Sequence, residues 1–209
     1  MRDLIVHNVS GSWGIDEQDL EKTQDNFQKC LIIRSTEFGK YDLNVDSNKK
    51  QYRFIEKTKL NKLHICSGDI LIEKSGGSEN QPVGRVAFLT DKLLESENIC
   101  FSNFIQKITL NNEVNKEYVF CCLHTFHSTK LTENMQSQTN GIRNLILNEY
   151  LNLKIPLPPL SVQEKIADEI TKRKQKALNL QKEAKECLNS AKIQVEKIIL
   201  GQQQKDERV

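Results

Sequence analysis

The pattern of apolar and polar positions divides the chain into two parts. In the first, short apolar runs alternate with polar, turn-rich segments, which is typical of strands and short helices. In the second, residues 161–200 contain neither proline nor glycine, and apolar residues recur every three, four or seven positions. We therefore predict an α+β fold: a domain over residues 1–154 with a twisted β-sheet and short helices, followed by one long helix over residues 161–200.

Within the first part, the local pattern predicts individual elements. Residues 30–34 form an apolar run of β type, and residues 101–110 alternate as a single strand would. Two apolar runs, 68–73 and 83–89, flank a glycine-rich polar segment, which indicates a hairpin with a wide loop. Residues 117–126 fit a short buried helix.

A proline-rich connector, residues 155–160, joins the two parts. Proline fixes φ and restricts the residue before it, so the run favours an extended, stiff conformation. Ser161 is suited to cap the following helix, and Glu164 stands at the matching third position of a capping box. We expect a stiff joint at the start of the helix, and a disordered tail over residues 201–209 beyond the glycine stop.

One side of the predicted helix is apolar along its length. At 1.5 Å per residue the helix would be roughly 60 Å long, which is more than its own domain can cover. Alanines at seven-residue intervals would let a second helix approach closely. We therefore predict that another helix packs against this seam, which consists of Ile166, Ile170, Ala177, Leu180, Ala184, Ala191, Val195 and Ile198.

Composition places the chain among soluble proteins. Charged residues make up 28% of it and hydrophobic residues 37%. No apolar run reaches the roughly 18 residues that a membrane span needs, and no signal peptide is evident at the N-terminus. The six cysteines show no C-x-x-C spacing. We expect them to be reduced and buried, and the protein to be cytoplasmic without membrane attachment.

The charge distribution argues in two directions. Residues 161–200 carry nine basic and six acidic side chains. Residues 1–160 carry nineteen basic and twenty acidic side chains. A nucleic-acid-binding domain is usually more basic than this first part. The domain is unevenly charged, however, with acids at 16–25 and bases at 49–62, so one face could still be basic. Both clusters could equally be solvated loops.

Catalytic signatures are absent from the sequence. It contains no phosphate-binding loop, no Gly-x-Gly-x-x-Gly loop and no Asn-Pro-Pro-aromatic tetrapeptide. Asp69, Glu73 and Lys74 hint at a nuclease, but neighbouring strand side chains point to opposite faces. In the segment from Cys121 to His127, only Cys121 with His124, or His124 with His127, could meet on one helical face, whereas a closed zinc site needs four ligands. We predict no catalytic residue, no metal site and no enzyme activity.

Several segments together resemble the target-recognition domain of the specificity subunits of type I restriction-modification systems. They include the Gly-Asp-Ile-Leu-Ile-x-Lys-Ser-Gly run and the joint Ile-Pro-Leu-Pro-Pro-Leu-x-x-Gln with its helix. The remaining matches are residues 10–14, 33–36, 84–87 and 140–145. The matches span nearly the whole chain in the same order as in that family.

The resemblance implies a non-catalytic DNA reader. In that family, recognition domains enter the major groove, and paired antiparallel helices act as a spacer and dock adenine methyltransferase subunits. A translocating nuclease subunit can join, and S-adenosylmethionine is bound by the methyltransferase partner, so this chain itself would need no cofactor. Here one recognition domain and one helix stand where that family has two of each. The resemblance therefore leaves a half subunit or a fragment of a longer subunit, and as a half subunit we expect it to form a homodimer and to read a two-part site in double-stranded DNA.

The candidate DNA contacts are polar or basic residues beside predicted strand ends and glycine turns. Arg85 would equally suit an ion pair with an acid, and the glycines could serve turn geometry alone. A scaffold that binds only proteins is the alternative function. The candidates are Arg34, Ser35, Thr36, Lys74, Ser75, Gly76, Ser78, Arg85, Arg143 and Asn144.

Overall fold

The computed structural model describes residues 1–20, 24–39, 43, 49–78, 80–139 and 141–201. The chain forms two compact units, Met1–Ala167 and Asp168–Val209. The predicted tail lies outside the described residues, apart from Gly201. Among the described residues, no helix combines the length and the apolar character needed to cross a lipid bilayer.

The first unit alternates short strands with short helices. The strands are β1 (Ile5–Ser10), β2 (Phe27–Ile33), β3 (Tyr52–Glu56), β4 (Ile70–Glu73), β5 (Ser75–Gly77), β6 (Val86–Phe88), β7 (Ile99–Phe101), β8 (Ile105–Leu110), β9 (Gln136–Thr139) and β10 (Ile142–Leu145). The α-helices are α1 (Lys57–Leu63), α2 (Asp91–Ser96), α3 (Lys116–Ser128), α4 (Leu147–Leu151) and α5 (Leu160–Ile199). Single 3₁₀ turns occur at Arg2–Leu4, Glu17–Asp19, Gln24–Asn26, Ser35–Glu37 and Glu133–Met135.

The strands form three sheets. A four-stranded antiparallel sheet has the order β1-β8-β4-β6, and a small antiparallel sheet has the order β5-β10-β9. The third sheet, β3-β2-β7, is mixed, because β2 runs parallel to β7 and antiparallel to β3. Strands β4 and β6 pair antiparallel, as the predicted hairpin requires, and β5 lies in the wide loop between them.

Strand β4 is buried on both faces, which explains its unbroken apolar sequence. Ile70 and Ile72 pack into a hydrophobic core with side chains from α3, α4 and the first turns of α5. Leu71 points the other way, into a second core shared with β2 and β7. The four-stranded sheet therefore lies between two apolar layers, and β4 runs through its middle.

A buried ion pair fixes the start of β4 to β8. The Lys107 ammonium donates to Asp69 Oδ2, His64 O and Thr109 Oγ1, each at 2.8 Å. The Asp69 carboxylate also accepts from the Cys66 amide at 2.8 Å and from the Thr109 hydroxyl at 2.6 Å. Every proton of the ammonium is thus used, which is the condition under which a buried charge is tolerated.

The helix begins at a different residue from the one predicted. Leu160 is its first residue, and the Pro159 carbonyl accepts from the amides of Val162 at 2.8 Å and Gln163 at 3.2 Å. Ser161 therefore lies inside the first turn, and the predicted capping box with Glu164 is wrong. The sequence pattern predicts Ser161 as the N-cap residue, but Pro159 takes that position, since its carbonyl accepts the first hydrogen bonds of the helix.

The connector is held to the domain by hydrogen bonds instead. The Gln163 side chain, which is buried, accepts from the Asn115 amide at 3.0 Å and donates to the Pro158 carbonyl at 2.8 Å. The Tyr118 hydroxyl donates to the Pro156 carbonyl at 2.9 Å. Asn115 in turn caps α3 by accepting from the Tyr118 amide. The amide of Gln163 thus links the start of α5 to the start of α3.

The thiols are all free, but the expectation that all of them are buried is wrong. Cys30 and Cys100 lie in the core, where burial raises the pKa of Cys30 to about 12. Cys66 and Cys187 are exposed. Cys187 lies in the stretch of α5 from residue 181 onward, in which every side chain is exposed.

We expect Lys107→Ala to lower the free energy of unfolding by about 3–5 kcal/mol, because it leaves the Asp69 carboxylate buried without a counter-charge. Chemical denaturation monitored by circular dichroism measures this loss. Lys130→Ala, which removes an exposed lysine from a surface ion pair, is the control and should change stability by less than about 1 kcal/mol. Equal losses for the two variants would contradict the role assigned to the buried pair.

Candidate nucleic-acid interface

The loops that carry most candidate residues meet at one edge of the domain. β1 and β4 end there and β8 begins there, since Ser10 pairs with Gln106 and Glu73 pairs with Ile105. Backbone hydrogen bonds extend the edge to the second core: Gly11 N to Ile105 O at 3.1 Å, Ser12 N to Phe101 O at 2.8 Å and Ser102 N to Ile33 O at 2.9 Å. We call this region the convergent edge, residues 10–12, 34–36, 74–78, 102–104 and 142–145.

Glycine is required at one close approach within this edge. A Cβ added to Gly11 would collide with the carbonyl oxygens of Phe101 and Ser102. The turn after β1 can therefore pack directly on the turn after β7. This contact brings residues from distant parts of the sequence to one surface.

A polar ribbon, the sheet β5-β10-β9, continues the convergent edge. The Leu145 amide donates to the Lys74 carbonyl at 2.8 Å, so the ribbon starts where β4 ends. The Ser75 hydroxyl donates to Asn144 Oδ1 at 2.5 Å, across the pair of strands in which Asn144 opposes Ser75. None of the ribbon strands contains an acidic residue. The ribbon thus presents hydroxyl, amide and guanidinium groups without a repelling carboxylate of its own.

Lys74 is a partly desolvated cation at the centre of this surface. Its ammonium donates to the Ser10 hydroxyl, and burial lowers the pKa of Lys74. No carboxylate of the described residues lies within ion-pair distance of it. A cation in such a position gains more from an anionic ligand than a fully hydrated one does, since part of its hydration is already lost.

Two candidate arginines have acidic partners within the domain. Arg34 donates to Glu37 Oε1 from Nη2 at 2.5 Å and from Nε at 3.1 Å. Arg85 donates to both carboxylate oxygens of Glu73 at 2.8 Å, and this hydrogen bonding raises the pKa of Arg85. Glu73 is only 2% exposed, so the second pair is largely internal. Of the two roles considered for Arg85, a DNA contact and an ion pair, the structure shows the ion pair, with Glu73.

Arg143 differs from these two arginines. It is half-buried on β10, opposite Gly77 and Gln138, and its guanidinium has no hydrogen bond or ion pair within the described part of the chain. Ser35 and Thr36 lie in the 3₁₀ turn after β2, where the Thr36 hydroxyl donates to Glu37 at 3.0 Å. Gly76 and Ser78 are exposed in the loop that carries β5.

Two members of the basic cluster at 49–62, Lys50 and Arg53, are paired with acids. Asp16 pairs with Arg53, whose guanidinium also lies 5.0 Å from the centre of the Trp13 ring. Lys50 pairs with Glu97 at 2.6 Å. A basic face, which the sequence left open beside the alternative of solvated loops, is therefore weaker than the cluster of bases suggests. Glu21, in the acidic cluster, lies outside the described residues.

Sequence reasoning missed two residues of the convergent edge. Ser10 belongs to the matching segment 10–14 but is not among the predicted DNA contacts, although its hydroxyl accepts a hydrogen bond from the Lys74 ammonium. Phe104 was assigned to the interior of a strand over 101–110, but the chain turns at residues 102–104 and leaves the phenylalanine 48% exposed. The polar pair Ser102-Asn103 before it was the available signal for a turn.

The carboxylates considered for a nuclease are committed to cations. Asp69 is bound to Lys107 and Glu73 to Arg85. In the part of the chain that the structure describes, no three metal-ligating side chains come together in a possible metal site. The residues from Cys121 to His127 lie on α3, and they form no such group either.

Comparison with known families decides the identity of the domain. Residues 22–190 match the family model described as the type I restriction modification DNA specificity domain. The chain belongs to this family. The resemblance derived from the residues is thus confirmed. No curated protein sequence matches this specificity domain.

Solved structures show the same fold. The HsdS subunit from Thermoanaerobacter tengcongensis aligns with a TM-score of 0.57 and 13% identity, over 100% of this chain and 50% of that one. The type I restriction-modification S subunit from M. genitalium aligns with a TM-score of 0.54 and 14% identity, over 86% of this chain and 39% of that one. A structure that describes complex assembly and conformational transition of the type I R-M system aligns with a TM-score of 0.53 and 16% identity, over 93% of this chain and 42% of that one. The specificity domain described here spans half or less of those chains, and its α+β class with a long C-terminal helix is confirmed.

We expect Arg85→Ala to destabilise the domain by about 2–3 kcal/mol, because the buried Glu73 carboxylate would lose its partner. Arg143→Ala is the matched control, because it removes an arginine that has no acidic partner among the described residues, and it should change stability by no more than about 0.5 kcal/mol. Denaturant titration distinguishes the two. A stable Arg85→Ala variant would show that the ion pair is not structural.

Proposed function

We propose that this chain is the DNA-recognition subunit of a type I restriction-modification complex and is not itself an enzyme. The observation that carries the proposal is the convergent edge, at which loops from distant parts of the sequence and the acid-free ribbon form one polar surface. Membership in the specificity family supports the same conclusion. Two antiparallel strands of such a ribbon are also narrow enough to enter the major groove of B-DNA.

The chemistry of the side chains on this surface indicates which kind of DNA contact each would make. Lys74 and Arg143 would contact phosphates, since they are cations without an acidic partner among the described residues. Ser75 and Asn144 would reach base edges, because hydroxyl and amide groups can both donate and accept hydrogen bonds. Arg34 and Arg85 would support the surface through their acids rather than bind DNA directly.

We further propose that two copies pair through α5 and that each contributes one half of a two-part recognition site. The seam residues support this, because Leu180, Val195 and Ile198 are each more than half exposed in the single chain. Ala177 and Ile170 are half-buried, Ile166 is 39% exposed, and Ala184 and Ala191 are exposed. An apolar stripe on a helix of this length calls for a partner helix.

Adenine methyltransferase subunits are the proposed enzymatic partners, with a nuclease subunit as a further one. In this arrangement the methyltransferase would bind S-adenosylmethionine and take the target adenine out of the duplex. A scaffold that binds only protein is the second candidate, and the pairing of Arg34 and Arg85 with acids favours it. The two candidates differ in whether the chain has salt-dependent affinity for DNA.

Lys74→Ala and Arg143→Ala should each weaken binding to all duplexes and reduce the slope of log affinity against log salt by about 1. Lys116→Ala is the matched control, because Lys116 is also half-buried but lies beside Gly68, at the opposite end of β4. Fluorescence anisotropy over a salt series provides the measurement. No DNA binding even at low salt, for the chain alone and with its methyltransferase, would favour the scaffold.

For the helix pairing, Ala184→Asp should weaken dimerisation by roughly tenfold or more, because it places a charge in the apolar seam of both copies. Asn189→Asp adds the same charge on the opposite side of the helix and should leave the dimer intact. Light scattering at micromolar concentration measures both. A wild-type protein that is wholly monomeric there would remove the support for a paired helix.

A further inference from the structure

Phe104 is an exposed aromatic side chain within a mainly polar surface, on which Ile142 is the other large exposed apolar residue of the convergent edge, at 47%. It is 48% exposed and lies between the buried residues of β7 and β8. Its ring lies over the ribbon: a Cβ added to Gly76 would be 3.7 Å from Phe104 Cδ2. Gly76 itself adopts a φ of +99°, which a residue with a side chain rarely does. Because Gly76 has no side chain, nothing from that position covers the ring at Cδ2.

The backbone that carries this ring is fixed on both sides. The Phe104 carbonyl accepts from the Lys74 amide at 2.9 Å. The next residue, Ile105, is buried and donates to Ser102 O at 3.0 Å while accepting from Gly11 N at 3.1 Å. The ring is therefore presented from a rigid turn, and little conformational entropy of the backbone would be lost on binding.

The neighbours of the ring identify the ligand it suits. Lys74, between β4 and β5, and Ser75, the first residue of β5, offer an ammonium and a hydroxyl, and the ribbon strands carry no acid. The cores of protein–protein interfaces are depleted in lysine, whereas DNA grooves combine phosphates with an apolar group, the thymine 5-methyl. Phenylalanine is one of the side chains that contact this methyl group in the major groove.

We propose that Phe104 determines sequence specificity by packing against the 5-methyl group of one thymine in the recognition site. This inference rests on the proposed DNA-recognition function and adds to it a named residue and a named base. The contact is apolar and needs no change in the hydrogen bonds of the domain.

The test begins by selecting a preferred site from random duplex DNA with the full chain, alone and together with its methyltransferase subunit. Each thymine of that site is then replaced by deoxyuridine, which removes only the methyl group. At one position the wild-type affinity should fall by roughly fourfold, the expected effect of losing one buried methyl. Phe104→Ala should show lower affinity for the thymine duplex and no further loss at that position.

Two further variants separate this role from a structural one. Phe104→Tyr keeps the ring and should keep the thymine dependence. Val6→Ala removes a 65% exposed side chain from the other end of β1, where Ile5 pairs with Leu110, and should also keep it.

The outcomes are distinguishable. If the wild type selects no site in either form, the proposed DNA-recognition function fails. If it selects a site, but Phe104→Ala depends on every thymine methyl as the wild type does, the inference about Phe104 is overturned while the function stands. The inference is likewise overturned if Phe104→Ala no longer binds the methyltransferase subunit but still binds DNA with the wild-type dependence on the thymine methyl groups.

Discussion

The burial of β4 on both faces is the constraint on which the rest of the domain depends. Ile70, Leu71 and Ile72 are all fully buried, with β8 and β6 as hydrogen-bonded neighbours and an apolar core on each side. A strand held in this way cannot shift by one residue without placing its side chains in the wrong core. The Asp69–Lys107 pair fixes the start of this strand, because Asp69 directly precedes it, and Lys74 follows its last residue. The position of Lys74 is therefore set by the packing of the whole domain, as a rigid binding surface requires.

The electrostatics of the domain are better described by pairs than by net charge. Arg34, Arg85 and Arg53 are each paired with an acid, so these three bases add little to the positive potential at the surface of the domain. The cations that remain without such partners among the described residues include Lys74 and Arg143, and both lie at the convergent edge. A local excess of this kind can attract a polyanion although the total is close to zero. The near-neutral composition is thus a weak argument against DNA binding.

The candidate surface could be predicted in part because its motif is continuous in sequence. Lys74, Ser75 and Gly76 stand together, and the glycines mark a turn that any reader of the sequence would expect to be exposed. The paired state of Arg85 could not be decided, because Glu73 lies twelve positions away and on a different strand. Phe104 was missed because the alternating pattern of residues 101–110 outweighs the weak turn signal of Ser102 and Asn103, and the turn that exposes it is held by backbone hydrogen bonds with Ile33 and Lys74.

The sequence by itself determined the α+β class, the long proline-free helix, the place of the joint and the resemblance to the specificity family. These depend on local periodicity, on proline geometry and on short motifs, which are properties of neighbouring residues. Tertiary structure decided that residues 101–110 form two strands, that residues 136–139 and 142–145 form a ribbon, and that the first turn of α5 is bound by Asn115. It also decided that a lysine within an apolar strand is neutralised by Asp69. Each of these depends on partners that are distant along the chain, 48 positions apart for Gln163 and Asn115, and no local pattern specifies such a partner.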